Sequence, residues 1–254
     1  MGQKQVYHPL SPPGEEPLLF YAYFSDMNAE ELVAVTAQHV ERLFAGEGSG
    51  HDWWHIKRVW QNALKIGAQE KADLTVVQLG ALLHDIADWK FHGGDEEAGP
   101  RAAATWLREQ EAPETLISDV CQIIREVSFK GAGVDTTPST LEVQVVQDAD
   151  RLDAIGAIGI GRAFAYGGFK GREMYHPHQE PLLHASFEEY KKNQGPTLNH
   201  FYEKLFLLKE RLNTTAGRQL AQERHSYMQE FVRQFLLEWH GEEPAPAAFH
   251  LQAN

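Results

Sequence analysis

The chain has 254 residues, one cysteine and a formal net charge of −13. That length buries a core without disulfide staples, and the lone Cys121 excludes an internal disulfide framework, so a reducing, cytoplasmic location is expected. The acidity argues against a surface that tracks nucleic-acid phosphates, and no run approaches the ~20 apolar residues of a membrane span.

Residues 1–27 carry Pro12, Pro13, Gly14 and Pro17 and show no sustained period, so a flexible or loosely docked extension is expected. No apolar leader follows Met1-Gly-Gln-Lys-Gln5, and Val6 stands where a myristoylation signal needs Ser or Thr. Asn28-Ala-Glu-Glu31 has the form of a capping box. It starts a helix through Val33, Val40, Leu43 and Phe44 that stops at Gly46. A second helix opens near His51-Asp-Trp-Trp-His55 and runs to about Gln69, with Ile56, Val59, Ala63 and Ile66 on one side and His55, Arg58 and Asn62 on another.

The stretch Leu79-Gly-Ala-Leu-Leu-His-Asp-Ile-Ala-Asp-Trp-Lys90 sorts cleanly as a helix. Leu79, Leu82, Leu83, Ile86 and Trp89 face a core, and His84, Asp85 and Asp88 gather on the other side around the small Ala81. Adjacent His and Asp can aim a nitrogen and an oxygen at one metal ion. An isolated His-Asp pair on such a helix is ordinarily a solvated face, and with 13 histidines chance pairs are common. The dipeptide alone therefore decides nothing.

Phe91-His-Gly-Gly-Asp95 reads as a loop, followed by helices over about 96–110 and 113–127, the proline suiting a first turn. Cys121 falls in the apolar run of the latter and reads as core. Ser128-Phe-Lys-Gly-Ala-Gly133 is a loop in which Lys130 either meets solvent or holds a phosphate. Leu141–Val146 alternates like a strand, but the spacing of Val145, Leu152, Ile155 and Ile158 favours one buried helix through Arg162. Residues 167–197, rich in Gly, His and Pro, read as a long loop whose His176, His178 and His184 are solvated. Two amphipathic helices, about 197–212 and 216–239, close the domain before a polar tail at 241–254.

In order, the candidates are His55, then His84-Asp85, then an aspartate within Asp148-Ala-Asp-Arg-Leu-Asp153. This H…HD…D pattern on a helical chain resembles the HD superfamily of metal-dependent phosphohydrolases. His-Ile-Lys-Arg-Val, Leu-Leu-His-Asp-Ile-Ala-Asp and Ala-Asp-Arg-Leu-Asp-Ala carry the resemblance across about residues 28–165, and Asn199-His-Phe-Tyr-Glu-Lys-Leu-Phe through Arg224-His-Ser-Tyr-Met resembles the tail of one bacterial subgroup. It implies an all-α fold: a single helical HD-domain bundle over 28–240, with an HD core at 51–165 and additional C-terminal helices.

The resemblance gives His55, His84, Asp85 and Asp150 as metal ligands. Two imidazoles and two carboxylates suit one divalent transition metal ion, Mn²⁺ as the first choice, with Fe²⁺, Co²⁺, Ni²⁺ or Zn²⁺ as alternatives. Asp88, one turn after His84, is placed to orient or deprotonate a water, and Arg58, Lys130 and Lys204 are candidates to neutralise substrate phosphate. Two-metal members use further histidines between the His-Asp pair and the last aspartate; only His92 lies there, which favours one metal. Asp148 and Asp150 point about 200° apart on a helix. Asp150 matches the family position and shares a side with Ala154, Ala157 and Gly161; Asp148 falls with Val145, Leu152, Ile155 and Ile158, with Arg151 as its available donor.

The expected activity is hydrolysis of a phosphate ester or anhydride, with the nucleotide class implied by the resemblance. The partner is a small anionic substrate, with neither nucleic acid nor membrane. Two other functions compete: a non-catalytic nucleotide or metal sensor, and a metallopeptidase using His51-Asp-Trp-Trp-His55 with Asp52 as its base.

Overall fold

The capping box at Asn28 forms as the sequence requires: Asn28 Oδ1 accepts from Glu31 N at 2.9 Å, and Glu31 Oε2 accepts from Asn28 N at 3.1 Å. Helix α1 (Ala29–Leu43) follows. The computed structural model describes residues 28–46, 52–87, 94–128, 136–183 and 194–241. Expectations for residues 1–27, His51, Asp88, Trp89, His92, Lys130, His184 and the tail after 241 lie outside the described residues.

Each later helix has a local cause. Asp52 caps α2 (Trp53–Glu70), accepting from His55 N at 2.8 Å, and Asp73 caps α3 (Leu74–Leu83) through Thr75 N and Val76 N. Helices α4 (Ala98–Glu109) and α5 (Glu114–Glu126) follow, with Pro113 preceding the latter. Thr140 caps α6 (Leu141–Asp153), then come α7 (Gly156–Phe169), the short α8 (Asn199–Glu203) and α9 (Thr215–His240), which is capped by Thr214 and ended by Gly241 at φ 75°. The described residues contain no strand, and the fold is all-α. No described helix is long and apolar enough to cross a membrane.

Helices α2 and α3 carry two cores. On one side Ile56, Leu79, Leu82 and Leu83 pack with Val33 and Val40 of α1, Leu107 of α4 and Val120 of α5. On the other, Val59, Ala63, Ile66 and Val77 pack with Val145, Ala149 and Leu152 of α6 and with Met228 and Val232 of α9. Helices α7, α8 and α9 add Phe164, Phe201, Phe231 and Phe235, whose ring centroids lie 5.9–6.1 Å apart. Cys121 is core, donating its Sγ–H to Pro100 O at 3.3 Å.

Three helical expectations fail, each for a tertiary reason. The stretch 79–90 does not continue as a helix. Helix α3 ends at Leu83 because His84 Nδ1–H donates to Ala81 O at 2.7 Å, taking the acceptor that Asp85 N needs, and Ile86 N turns to Leu83 O at 3.1 Å. Ala81 is fully buried in the core rather than standing open beside the ligands.

The helix from 141 to 162 breaks at Ala154-Ile155-Gly156. Ile155 is extended and Gly156 takes φ 76°, a conformation that suits glycine. Helix α7 then folds back so closely that a Cβ at Gly159 would lie 2.2 Å from Ala154 O. Ala157 and Gly161 therefore share no face with Asp150, and Ile158 is 48% exposed rather than core. The third failure is 197–212: it forms only α8 and two 3₁₀ turns, Leu205–Leu207 and Lys209–Arg211. The loop before it begins only after Phe169 and is pinned by Thr197 N to Glu173 O and Leu198 N to Met174 O, each 2.9 Å.

Candidate metal centre

Four side chains from three helices converge where α3 ends. His55 comes from the first turn of α2, His84 and Asp85 from the turn after α3, and Asp150 from α6. His55 Nε2 lies 3.3 Å from His84 Nε2, 3.4 Å from Asp85 Oδ2 and 3.6 Å from Asp150 Oδ1. His84 Nε2 lies 3.5 Å from Asp85 Oδ2 and 4.0 Å from Asp150 Oδ1. Both histidines are buried, whereas the Asp150 side chain is 29% exposed and opens the cluster toward solvent.

Hydrogen bonding fixes the tautomers. His84 Nδ1 faces the Ala81 carbonyl and His55 Nδ1 faces the Asp153 carboxylate at 2.7 Å, and neither partner has a proton to give. Both rings therefore carry an N–H on Nδ1 and turn Nε2 inward. The cluster sets two imidazole nitrogens beside two carboxylates, whose negative charge draws positive charge to this point.

The spacing suits a metal ion. For ligand bonds of ~2.1 Å, neighbouring ligand atoms lie about 3.0 Å apart at right angles and about 3.4 Å apart at the tetrahedral angle. His55, His84 and Asp150 each offer one atom, all within 4.8 Å of one another, with Asp85 alongside. Burial and the Arg162 charge oppose protonation of His55, and its hydrogen bonds to the Asp153 and Asp85 carboxylates outweigh them, so its pKa rises. The surroundings favour positive charge at this point, whether proton or metal.

Asp153 closes the stretch from which the sequence offered its last aspartate, but the sequence assigned it no role. It is 2% exposed and accepts from His55 Nδ1, from Arg58 Nε at 2.6 Å and Nη2 at 3.1 Å, and from Arg162 Nη1 at 2.8 Å. Burial pushes its pKa up, and the His55 and Arg58 hydrogen bonds and the Arg162 charge reverse this, holding it well below the usual carboxylate range. Its spacing from Asp150 was the available signal, because residues three apart share a helix face. Nothing local pointed to Arg162, which α7 delivers only because the chain turns at Gly156.

Arg58 thus spends Nε and Nη2 on Asp153, leaving Nη1 as its remaining terminal donor. Lys204 is half-buried at the end of α8. Asp52, the base of a peptidase motif, has its carboxylate engaged in the α2 cap.

Asp148 points away from Asp150 and is fully buried. Its donors are Asn213 N, Asn213 Nδ2, Thr214 N and Thr214 Oγ1 at 2.7–2.8 Å, so it ties α6 to the start of α9. Arg151, expected to serve it, acts only through its charge: its guanidinium bonds go to Arg211 O and, at 3.2 Å, to Thr136 Oγ1.

A family model for the HD domain matches residues 53–155, which include the four clustered residues and Asp153. The Bacillus subtilis protein YpgQ, named as uncharacterized, is 38% identical over 200 residues, 77% of this chain and 87% of YpgQ. A solved Lactobacillus plantarum protein superposes with a TM-score of 0.75 at 36% identity, over 85% of this chain and all of that one. An HD-superfamily hydrolase from Bacillus thuringiensis superposes with a TM-score of 0.65 at 40% identity, over 84% and 99% of the two chains. YpgQ has also been solved in complex with ADP, with a TM-score of 0.67 at 32% identity over 84% and 97%.

Proposed function

Because the chain belongs to the HD superfamily, we propose that it is a metal-dependent phosphohydrolase cleaving a phosphate ester or anhydride of a nucleotide. The observation that carries this is the convergence of two imidazole Nε2 atoms and two carboxylates, with His55 Nε2 3.3–3.6 Å from the other three groups and His84 Nε2 3.5–4.0 Å from the two carboxylates. Such a set suits a divalent transition metal ion, Mn²⁺ first. The complex of YpgQ with ADP supports a phosphate-bearing nucleotide as the ligand class.

In this reading His55, His84, Asp85 and Asp150 hold one ion. A divalent metal in that position supplies a Lewis acid that lowers the pKa of water and withdraws charge from a phosphoryl oxygen. The chain's own residues do the rest. Asp88, four residues beyond His84 in sequence, orients the attacking water and takes its proton. Arg58 Nη1, Lys130 and Lys204 meet the substrate's negative charge, which the −13 net charge of the chain would otherwise repel. The Nδ1–H of each ring is committed away from the ion, to the Ala81 carbonyl for His84 and to the Asp153 carboxylate for His55.

The test is a panel of nucleoside mono-, di- and triphosphates on protein that has been chelated and reloaded with single metals, scoring phosphate and pyrophosphate separately. Metal-dependent release from one class is the expected result. Protein that binds metal and nucleotide yet releases neither product overturns the enzyme in favour of a sensor.

A further inference from the structure

Asp153 takes no part in the chemistry proposed above, yet three side chains from two other helices close on it. His55 and Arg58 reach it from α2 and Arg162 reaches it from α7, all within 2.6–3.1 Å. Resting on the metal site just proposed, we infer that Asp153 is the positioning residue that locks His55 in its Nδ1–H tautomer and so sets the metal affinity of the centre.

An ionised carboxylate only accepts hydrogen bonds, so the Nδ1 facing it must carry the imidazole's one N–H. The lone pair of Nε2 is then permanently directed toward His84, Asp85 and Asp150. Were the proton on Nε2 instead, it would point into the cluster and block the ligand position. A carboxylate holding a ligating histidine in this way also makes the ring a better donor to the ion.

The two arginines serve this lock rather than compete with it. A buried carboxylate alone would be costly, and guanidinium donors on both oxygens stabilise its charge and fix its plane. Arg58 Nε holds Oδ1, while Arg58 Nη2, Arg162 Nη1 and His55 Nδ1 all meet at Oδ2. Helix α7 thereby reaches the metal centre without contributing a ligand. His84 has a separate lock, the Ala81 carbonyl, which no side-chain change at position 153 touches.

That asymmetry designs the experiment. In Asp153→Asn, the amide oxygen takes the place of Oδ2, where three donors meet, and the NH₂ replaces Oδ1, where only Arg58 Nε points. The tautomer should survive. In Asp153→Ala nothing holds the Nδ1 proton.

Imidazole tautomers are read by long-range ¹H–¹⁵N correlation on the full-length metal-free protein, at alkaline pH where the rings are neutral. Mn²⁺ affinity is read by calorimetry on the same samples. The wild-type His55 should be the Nδ1–H form. Asp153→Ala should show the Nε2–H form and bind Mn²⁺ about 10–100-fold more weakly. Asp153→Asn should keep the wild-type tautomer and lie within about 10-fold of wild-type affinity, and His84 should be unchanged throughout.

An Nε2–H wild-type His55 overturns the inference, whether or not the alanine variant folds. So does an alanine variant with wild-type tautomer and affinity. His84→Ala separates the two levels. If it still binds Mn²⁺, the metal site itself falls; if it loses Mn²⁺ while Asp153→Ala does not, only the role of Asp153 falls.

Discussion

Two aspartates two residues apart should fail in opposite ways. Asp148 Oδ2 accepts from Thr214 N at 2.8 Å and Thr214 Oγ1 at 2.7 Å, and Oδ1 accepts from Asn213 N and Asn213 Nδ2, both at 2.8 Å. In Asp148→Asn the amide oxygen must take the Oδ2 position, because Thr214 Oγ1 already accepts from Gly217 N and so offers its proton to residue 148. The new NH₂ then faces Asn213 Nδ2. Asn213 cannot turn its amide without placing an oxygen against Gln147 Oε1. Gln147 in turn is fixed by Nε2 bonds to Glu126 O and Thr136 O.

One or two charge-assisted hydrogen bonds are lost, worth about 2–4 kcal/mol. Relief of the buried charge, which pushes the Asp148 pKa up, offsets part of that, leaving a loss of about 2 kcal/mol. For a domain of this size Tm should fall by roughly 4–8 °C, with bound metal unchanged. Asp150→Ala should do the reverse: it takes no share in the core and is 29% exposed, so Tm of the metal-free protein holds while metal is lost. Calorimetric Tm and metal content measured on both purified variants decide the matter. Metal lost from Asp148→Asn at unchanged Tm, or retained in Asp150→Ala, would refute the division of labour along α6.

His84→Ala and Asp85→Ala should each remove bound metal and hydrolysis while circular dichroism keeps the helical signal; full activity after chelation and reloading in either variant excludes the proposed ligand set. Asp88→Asn should retain metal and slow turnover by on the order of 10²–10⁴, and loss of metal with it would make Asp88 a ligand instead. Gly156→Ala should destabilise by about 1–2 kcal/mol through its φ of 76°, more if Arg224, 3.0 Å from the new Cβ, does not move; an unchanged urea midpoint would show that the turn tolerates a side chain. Asp153 has a folded pKa held below its unfolded value, so its contribution is complete above ~pH 4 and is lost as pH falls toward the folded value. Acid unfolding of the metal-free protein should therefore be shallower below ~pH 4 in Asp153→Asn, and an identical acid limb would show that the Asp153 cluster contributes nothing there.

Local chemistry in the sequence was enough for most of the fold. The capping box at Asn28, the Asp73 and Thr140 caps and the apolar spacing of Ile56, Val59, Ala63 and Ile66 each act within a turn or two of helix, and they determine α1, α2, α3 and α6. The same local rules ran the 141–162 helix through Gly156, because periodicity does not register a single residue at positive φ among several glycines. They also ran the 79–90 helix past Leu83, where the His84 ring takes a carbonyl from the backbone ladder.

The centre divides along the same line. His55, His84, Asp85 and Asp150 could be picked out because motif and residue chemistry travel with the sequence. Their convergence needed α2, the end of α3 and α6 to pack together, and the contact of Arg162 with Asp153 needed α7 to turn back at Gly156. The capacity of a side chain to ligate is written in the chain itself. Which nitrogen of His55 carries the proton depends on a carboxylate 98 residues away, and only the packing of α2 against α6 brings the two together.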